Sequence, residues 1–171
     1  MTMRLSAVAG VLFLCGPWAA GPVAAEDQPA VLEIKRLSME MAYRVAKGAV
    51  EACRAKGVQV AATVVDRAGQ PQAVLRDVLA MPLTLEVSYK KAYTATNFNT
   101  PTSDLVGRFE GNYSVGKAEN VLIAAGGLPI EAGGTILGGV GVSGAPSGET
   151  DQECARAGLE AVRADLEMAA F

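Results

Sequence analysis

Leu137-Gly138-Gly139-Val140-Gly141-Val142-Ser143-Gly144-Ala145 is the stretch on which the fold turns. Val140 and Val142 alternate with Gly139 and Gly141 in the two-residue period of a strand. The run from Gly139 to Gly144 also matches G-x-G-x-x-G, which signals a dinucleotide only where a strand ends and a helix opens onto a pyrophosphate. Here the glycines lie inside the alternation and Pro146 follows. Glycines so placed mark close approach of another backbone: a bulge, a helix seated tightly on the sheet, a flat ligand or a second subunit. The nearby Gly141-Val142-Ser143-Gly144-Ala145 lacks the G-x-S-x-G spacing of a serine elbow.

Working outward, the glycine-rich strand runs from Thr135 to Ser143, preceded by a Gly133-Gly134 turn, a short strand at Leu128 to Ile130 and a Gly126-Gly127 turn. Asn120 to Ala125 is apolar and supplies one further strand, and Glu110 to Glu119 is a polar loop. On the other side, a last helix begins near Glu149 and carries Cys154, Ala155, Leu159, Val162 and Leu166 on one stripe. In the first half, Ser38 is an N-cap for a helix whose buried stripe is Ala42, Val45, Ala46, Ala49 and Cys53 and which Gly57 stops. Val58 to Val65 alternates as a strand, Asp66-Arg67-Ala68-Gly69 turns, and Gln72 to Asp77 returns. Pro82 opens a second helix to about Thr96, and Thr100-Pro101 opens a short third ending near Phe109. The order is α-β-β-α-α-β-β-β-α. It is an α+β domain with a central antiparallel sheet of about five strands flanked by helices.

The N-terminus reads as an export signal. Arg4 precedes an apolar run from Leu5 to Leu14, a Gly16-Pro17 break and Val23-Ala24-Ala25 before Glu26, the charged, apolar, small-residue order of a cleavable leader. The apolar run is well short of the ~20 residues that span a bilayer. Residues 1–25 are therefore assigned to the signal, 26–36 to a loose tail and 37–171 to one domain. The destination is the periplasm or the exterior, with no membrane span after cleavage. Cleavage removes one cation and no anion, so 14 Lys and Arg face 18 Asp and Glu. Mild acidity excludes a nucleic-acid footprint.

The chain has no histidine, which excludes a Ser-His-Asp triad, a Cys-His dyad, histidine-ligated zinc and histidine-ligated heme. Cys53 and Cys154 remain after cleavage, in a compartment where a disulfide persists. They stand either as a bridge between the first and last helices or as two buried thiols. Arg76, Lys90, Lys91 and Arg108 are the cations nearest predicted strand and helix ends.

Four blocks of this chain are familiar: Val64-Val65-Asp66-Arg67-Ala68-Gly69; Lys91-Ala92-Tyr93-Thr94-Ala95 with Thr102 and Leu105; Gly126-Gly127-Leu128-Pro129-Ile130; and Leu137 to Ala145 with Asp151, Glu153, Ala155, Ala157 and Gly158. With these, the chain from about Leu37 to Leu166 resembles the GlcG/HbpS family of heme-binding-type domains, a type also fused to some corrinoid adenosyltransferases. The resemblance implies a profilin-like layered domain, assembly into homo-oligomers and, in some members, binding of heme or a related tetrapyrrole. The chain departs from the family after Arg76, reading Asp77-Val78-Leu79-Ala80 where a Met-Asp-Gly-Ala type of loop is usual.

The resemblance makes a small planar or acidic ligand the expected partner, with Arg76, Lys91, Thr94, Gly126, Gly127 and Pro129 as its binding residues and no catalytic set. Heme here would need a ligand other than histidine, and Tyr43, Tyr89, Tyr93, Tyr113, Met39, Met41 and Met81 are the candidates. The alternative is an oligomeric accessory or assembly subunit of an exported oxidoreductase. A third reading, an enzyme using Asp66, Lys91 or Asp151 as acid or base, needs a pocket around isolated groups.

Overall fold

The computed structural model describes residues 29–109, 111 and 115–169, so the proposed signal segment and Tyr113 lie outside the described residues. The chain divides into two compact units, residues 1–33 and 34–171, and every helix and strand below belongs to the second.

Helix α1 spans Met39–Ala55, with the Ser38 hydroxyl accepting from the Met41 N–H at 3.2 Å. Its buried stripe is Ala42, Val45, Ala46, Ala49, Val50 and Cys53. Strands β1 (Ala61–Asp66) and β2 (Pro71–Arg76) form a hairpin. Asp66 Oδ1 closes its turn by accepting from Ala68 N and Gln70 N, each at 2.9 Å. Helix α2 spans Leu83–Phe98, and a second hairpin pairs β3 (Gly127–Ala132) with β4 (Thr135–Ser143). The sheet order is β2-β1-β4-β3, all antiparallel.

Both inner strands are covered on both faces. Val60, Ala62, Val64, Val140 and Val142 face the core built with α1 and the C-terminal helices. On the other face lies α2, where the Thr63 and Ser88 hydroxyls meet at 2.8 Å. The glycine alternation positions this helix. A Cβ on Gly141 would lie 2.5 Å from Ala92 N and closer still to Ser88 O; one on Gly139 would lie 2.8 Å from Ala92 O, and one on Gly127 2.9 Å from the Lys91 carbonyl carbon. Gly127 and Gly141 are directly paired. The glycines are thus a floor for α2, not a phosphate loop.

The structure corrects three expected elements. The sheet has four strands, because the stretch from Asn120 to Ala125 forms none. The Leu122 N–H is instead donated to Thr94 Oγ1 at 2.8 Å, so an α2 side chain takes the donor a ladder would have used. The third helix shrinks to a 3-10 turn at Thr102–Leu105, held to β3 where Gly127 N donates to Thr102 Oγ1 at 2.8 Å. The last helix is two, α3 (Gly148–Glu160) and α4 (Arg163–Ala169). At the break, Arg44 Nη2 donates to Ala161 O at 3.0 Å and Nη1 to Asp165 Oδ2 at 2.7 Å.

Helices α1 and α3 cross at Gly48 and Gly158, where a Cβ on Gly48 would lie 3.1 Å from Gly158 Cα. Cys53 and Cys154 are joined as a disulfide between these helices, with Cα atoms 5.5 Å apart. Among the described residues, no helix is long and apolar enough to cross a membrane.

Candidate functional site

Three of the residues marked from the sequence converge: Lys91, Gly126 and Asp151. Lys91 leaves α2 at the end of the sheet, and its Nζ donates to Asp151 Oδ2 at 2.8 Å and to Val142 O at 3.0 Å. Both side chains are only 5% exposed. Asp151, in the first turn of α3, also accepts from Ala145 N at 2.9 Å. Burial raises its carboxyl above the usual range, against the opposing pull of the Lys91 ammonium. Gly126 is pressed against this pair: a Cβ there would lie 2.7 Å from Lys91 Nζ. Thr94 is buried, donating to Lys90 O at 2.8 Å while accepting from Leu122 N.

Each polar atom named is taken by an internal partner, and Lys91 ties α2 to α3 across the glycine edge. Asp66, the third acid or base considered, is occupied by its turn and lies 3.6 Å from Arg36 Nη1. Arg76 stands apart from this cluster, at the far edge strand, where it donates to Ala80 O. Pro129 lines a separate cavity of about 220 Å³ with Glu131 and Arg163.

An apolar cavity lies elsewhere, between the start of α1, the β3–β4 hairpin and α4. Its volume is about 330 Å³, with Leu37, Leu137 and Leu166 as walls and Lys35, Arg36 and Met41 also lining it. Each element brings its residue for a simple reason. Leu37 precedes the Ser38 cap and is held by Gln72 Nε2, which donates to its carbonyl at 3.1 Å. Leu137 sits at the bulge where β3 and β4 shift register between Ile130 and Glu131. Met41 occupies the first turn of α1, and its sulfur accepts from Arg44 Nη1 at 3.7 Å. Leu166 arrives because the helix break re-aims α4. The chemical character is an apolar slot with two cations and one thioether. Of its residues, only Met41 stood among the sequence candidates; the missed signal was the Lys35-Arg36 pair immediately before an amphipathic helix.

Among the described residues, the other candidate iron ligands do not line this slot. Met39, Met81 and Tyr43 are exposed, and Tyr89 and Tyr93 lie ring to ring at 6.0 Å. The ring of Tyr93 covers Gly69 of the first hairpin, 2.6 Å from where a Cβ would be.

Residues 37–160 match the family model described as haem degrading protein HbpS-like. Among solved structures, the chain is similar to a double mutant of HbpS from Streptomyces reticuli, at 39% identity and a TM-score of 0.75, covering 83% of this chain and 97% of that one. It is also similar to PduOC, solved as a heme complex, at 26% identity and a TM-score of 0.69, over 74% of this chain and 95% of that one. Klebsiella pneumoniae protein ORFY shares the fold at 24% identity and a TM-score of 0.75, over 80% of this chain and 97% of that one. No curated protein matches the chain.

Proposed function

The chain belongs to the HbpS-like family, and on that premise we propose that it is an exported binding protein for heme or a related tetrapyrrole. The observation that supports this most is the slot beside α1. A heme needs apolar surface for its macrocycle, cations for its propionates and a donor for its iron. Leu37, Leu137 and Leu166 offer the first, Lys35 and Arg36 the second and Met41 the third, so the donor set fits. At about 330 Å³ the slot is at the small end of ligand sites, so part of a bound macrocycle would stay open to solvent. Bound heme would supply a one-electron iron centre. Binding rather than acid–base chemistry is favoured because Asp66, Lys91 and Asp151 are all taken up internally.

Titration of the purified chain with hemin tests this: a saturable spectral shift at a fixed stoichiometry is expected, and a shift that grows without saturating refutes it. Export rests on residues 1–25, and N-terminal sequencing of the exported protein should begin at Glu26.

A specific surface favours homo-oligomers and keeps the accessory-subunit reading in view. Val78, Leu79 and Met81, on the loop before α2, and Leu83, in its first turn, are 60–80% exposed. Asp77 accepts two hydrogen bonds from the Arg54 guanidinium, each at 2.9 Å, and Leu79 N donates to Gln59 Oε1 at 2.6 Å. A fixed apolar tip of this kind is a docking surface. Leu79→Glu should lower the native mass in light scattering, and a monomeric wild-type protein would overturn the homo-oligomer and count against the accessory role.

A further inference from the structure

We infer that Met41 is the residue that would ligate the iron of a heme held in the slot beside α1; this rests on the heme-binding reading above. Position and chemistry carry it. With histidine absent and both cysteines of the domain joined to each other, the ligands left are thioether, phenol, amine, hydroxyl and water. Of the slot's lining residues, Lys35, Ser38 and Met41 carry such groups; an ammonium must lose a proton before it can donate to iron and the Ser38 hydroxyl caps α1, which leaves the Met41 thioether.

The thioether is also held in place. Arg44 Nη1 contacts its sulfur at 3.7 Å, and Arg44 is itself anchored to Asp165 at 2.7 Å and to Ala161 O at 3.0 Å. A sulfur has a second lone pair, so this contact orients Met41 without using up its capacity to donate. Arg44 is thus a positioning residue, of the kind that fixes a ligand from behind and tunes the metal. A soft thioether favours ferrous iron, and a neighbouring guanidinium acts in the same direction by disfavouring added positive charge. Heme held there would be stabilised in its reduced form, with a raised potential.

The test is hemin titration of the purified chain, read by absorbance and by near-infrared magnetic circular dichroism, where thioether-ligated ferric heme has a charge-transfer band of its own. Wild type should saturate and show that band. Met41→Leu conserves volume, so its circular dichroism and melting should match wild type while the band disappears and affinity falls at least tenfold. Met41→His should restore tight binding with an imidazole spectrum. Arg44→Gln should keep the band but lower the midpoint potential. Saturable wild-type binding without the band, or a Met41→Leu spectrum superimposable on wild type, overturns Met41 as ligand and leaves heme binding standing. Failure of wild type to saturate overturns both.

Discussion

Replacing Gly141 with alanine adds one methyl group to the middle of β4, and the cost follows from what that methyl meets. It would stand 2.5 Å from Ala92 N and nearer still to Ser88 O. Contact between heavy atoms is favourable only near ~3.5 Å, so α2 must withdraw by roughly 1 Å. Both obstructing atoms are main chain, so no rotamer change relieves the clash and no side-chain truncation on α2 rescues it. Overpacking of this kind costs ~1–3 kcal/mol, and with an immovable neighbour about 3 kcal/mol is expected. The loss of unfolded-state freedom on Gly→Ala offsets only ~0.4–1 kcal/mol of this. That is a large share of the ~5–15 kcal/mol that holds a domain folded, and it lowers Tm by roughly 10 °C for a chain of this size. Urea and thermal unfolding followed by far-UV circular dichroism measure it. Gly134→Ala serves as comparison: at φ +73° with nothing within 4 Å, it should cost ~1–2 kcal/mol from backbone conformation alone. A Gly141→Ala protein within about 0.5 kcal/mol of wild type, the usual scatter of neutral surface changes, would refute the seating of α2 on the glycine floor.

The Cys53–Cys154 bridge closes a loop of sequence separation 101, so the Cys53→Ala/Cys154→Ala double variant should lose up to about 4.7 kcal/mol on the chain-entropy estimate. Denaturant unfolding with and without reductant checks this, and stability indifferent to reductant in the wild type counts against the bridge. Lys91→Met leaves Asp151 buried without its cation and should cost ~3–5 kcal/mol; adding Asp151→Asn, which still accepts from Ala145 N, should recover most of it in a double-mutant cycle. Arg54, through its side-chain hydrogen bonds, and then the Val78 N–H hold the Asp77 carboxyl below the usual carboxylate range. A lowered carboxyl stabilises the fold above its unfolded value near ~4 and loses that contribution as pH falls through the folded value. Asp77→Asn should therefore be less stable at neutral pH and show a shallower acid limb in Tm against pH; parallel limbs would contradict the pairing.

Much of the architecture was legible because it rests on local periodicity. The α1 stripe, the Ser38 cap, the Asp66 turn and the β4 alternation each declare themselves within a few residues. The errors come where a distant group decides. Residues 121–123 are apolar enough for a strand, but the Leu122 N–H finds Thr94, 28 residues earlier. The last helix keeps its stripe through Val162 and Leu166, yet breaks where Arg44 of α1 takes the Ala161 carbonyl, 117 residues away. The ion pair of Lys91 with Asp151, 60 residues on, had no local signature either. The slot beside α1 had no local signature, since its walls come from α1, the β3–β4 hairpin and α4.

That division bears on what family membership transmits. The blocks that identify the family, from Lys91 to Ala95, Gly126 to Ile130 and Leu137 to Ala145, hold α2 against the sheet and lock it to α3. They are under the constraint of main-chain contact, where one methyl group does not fit. The slot is built differently. The matched residues are 37–160, whereas Lys35, Arg36, Leu166 and Ala169 of its lining lie outside them. The glycine floor under α2 and the slot beside α1 are thus built from different residues.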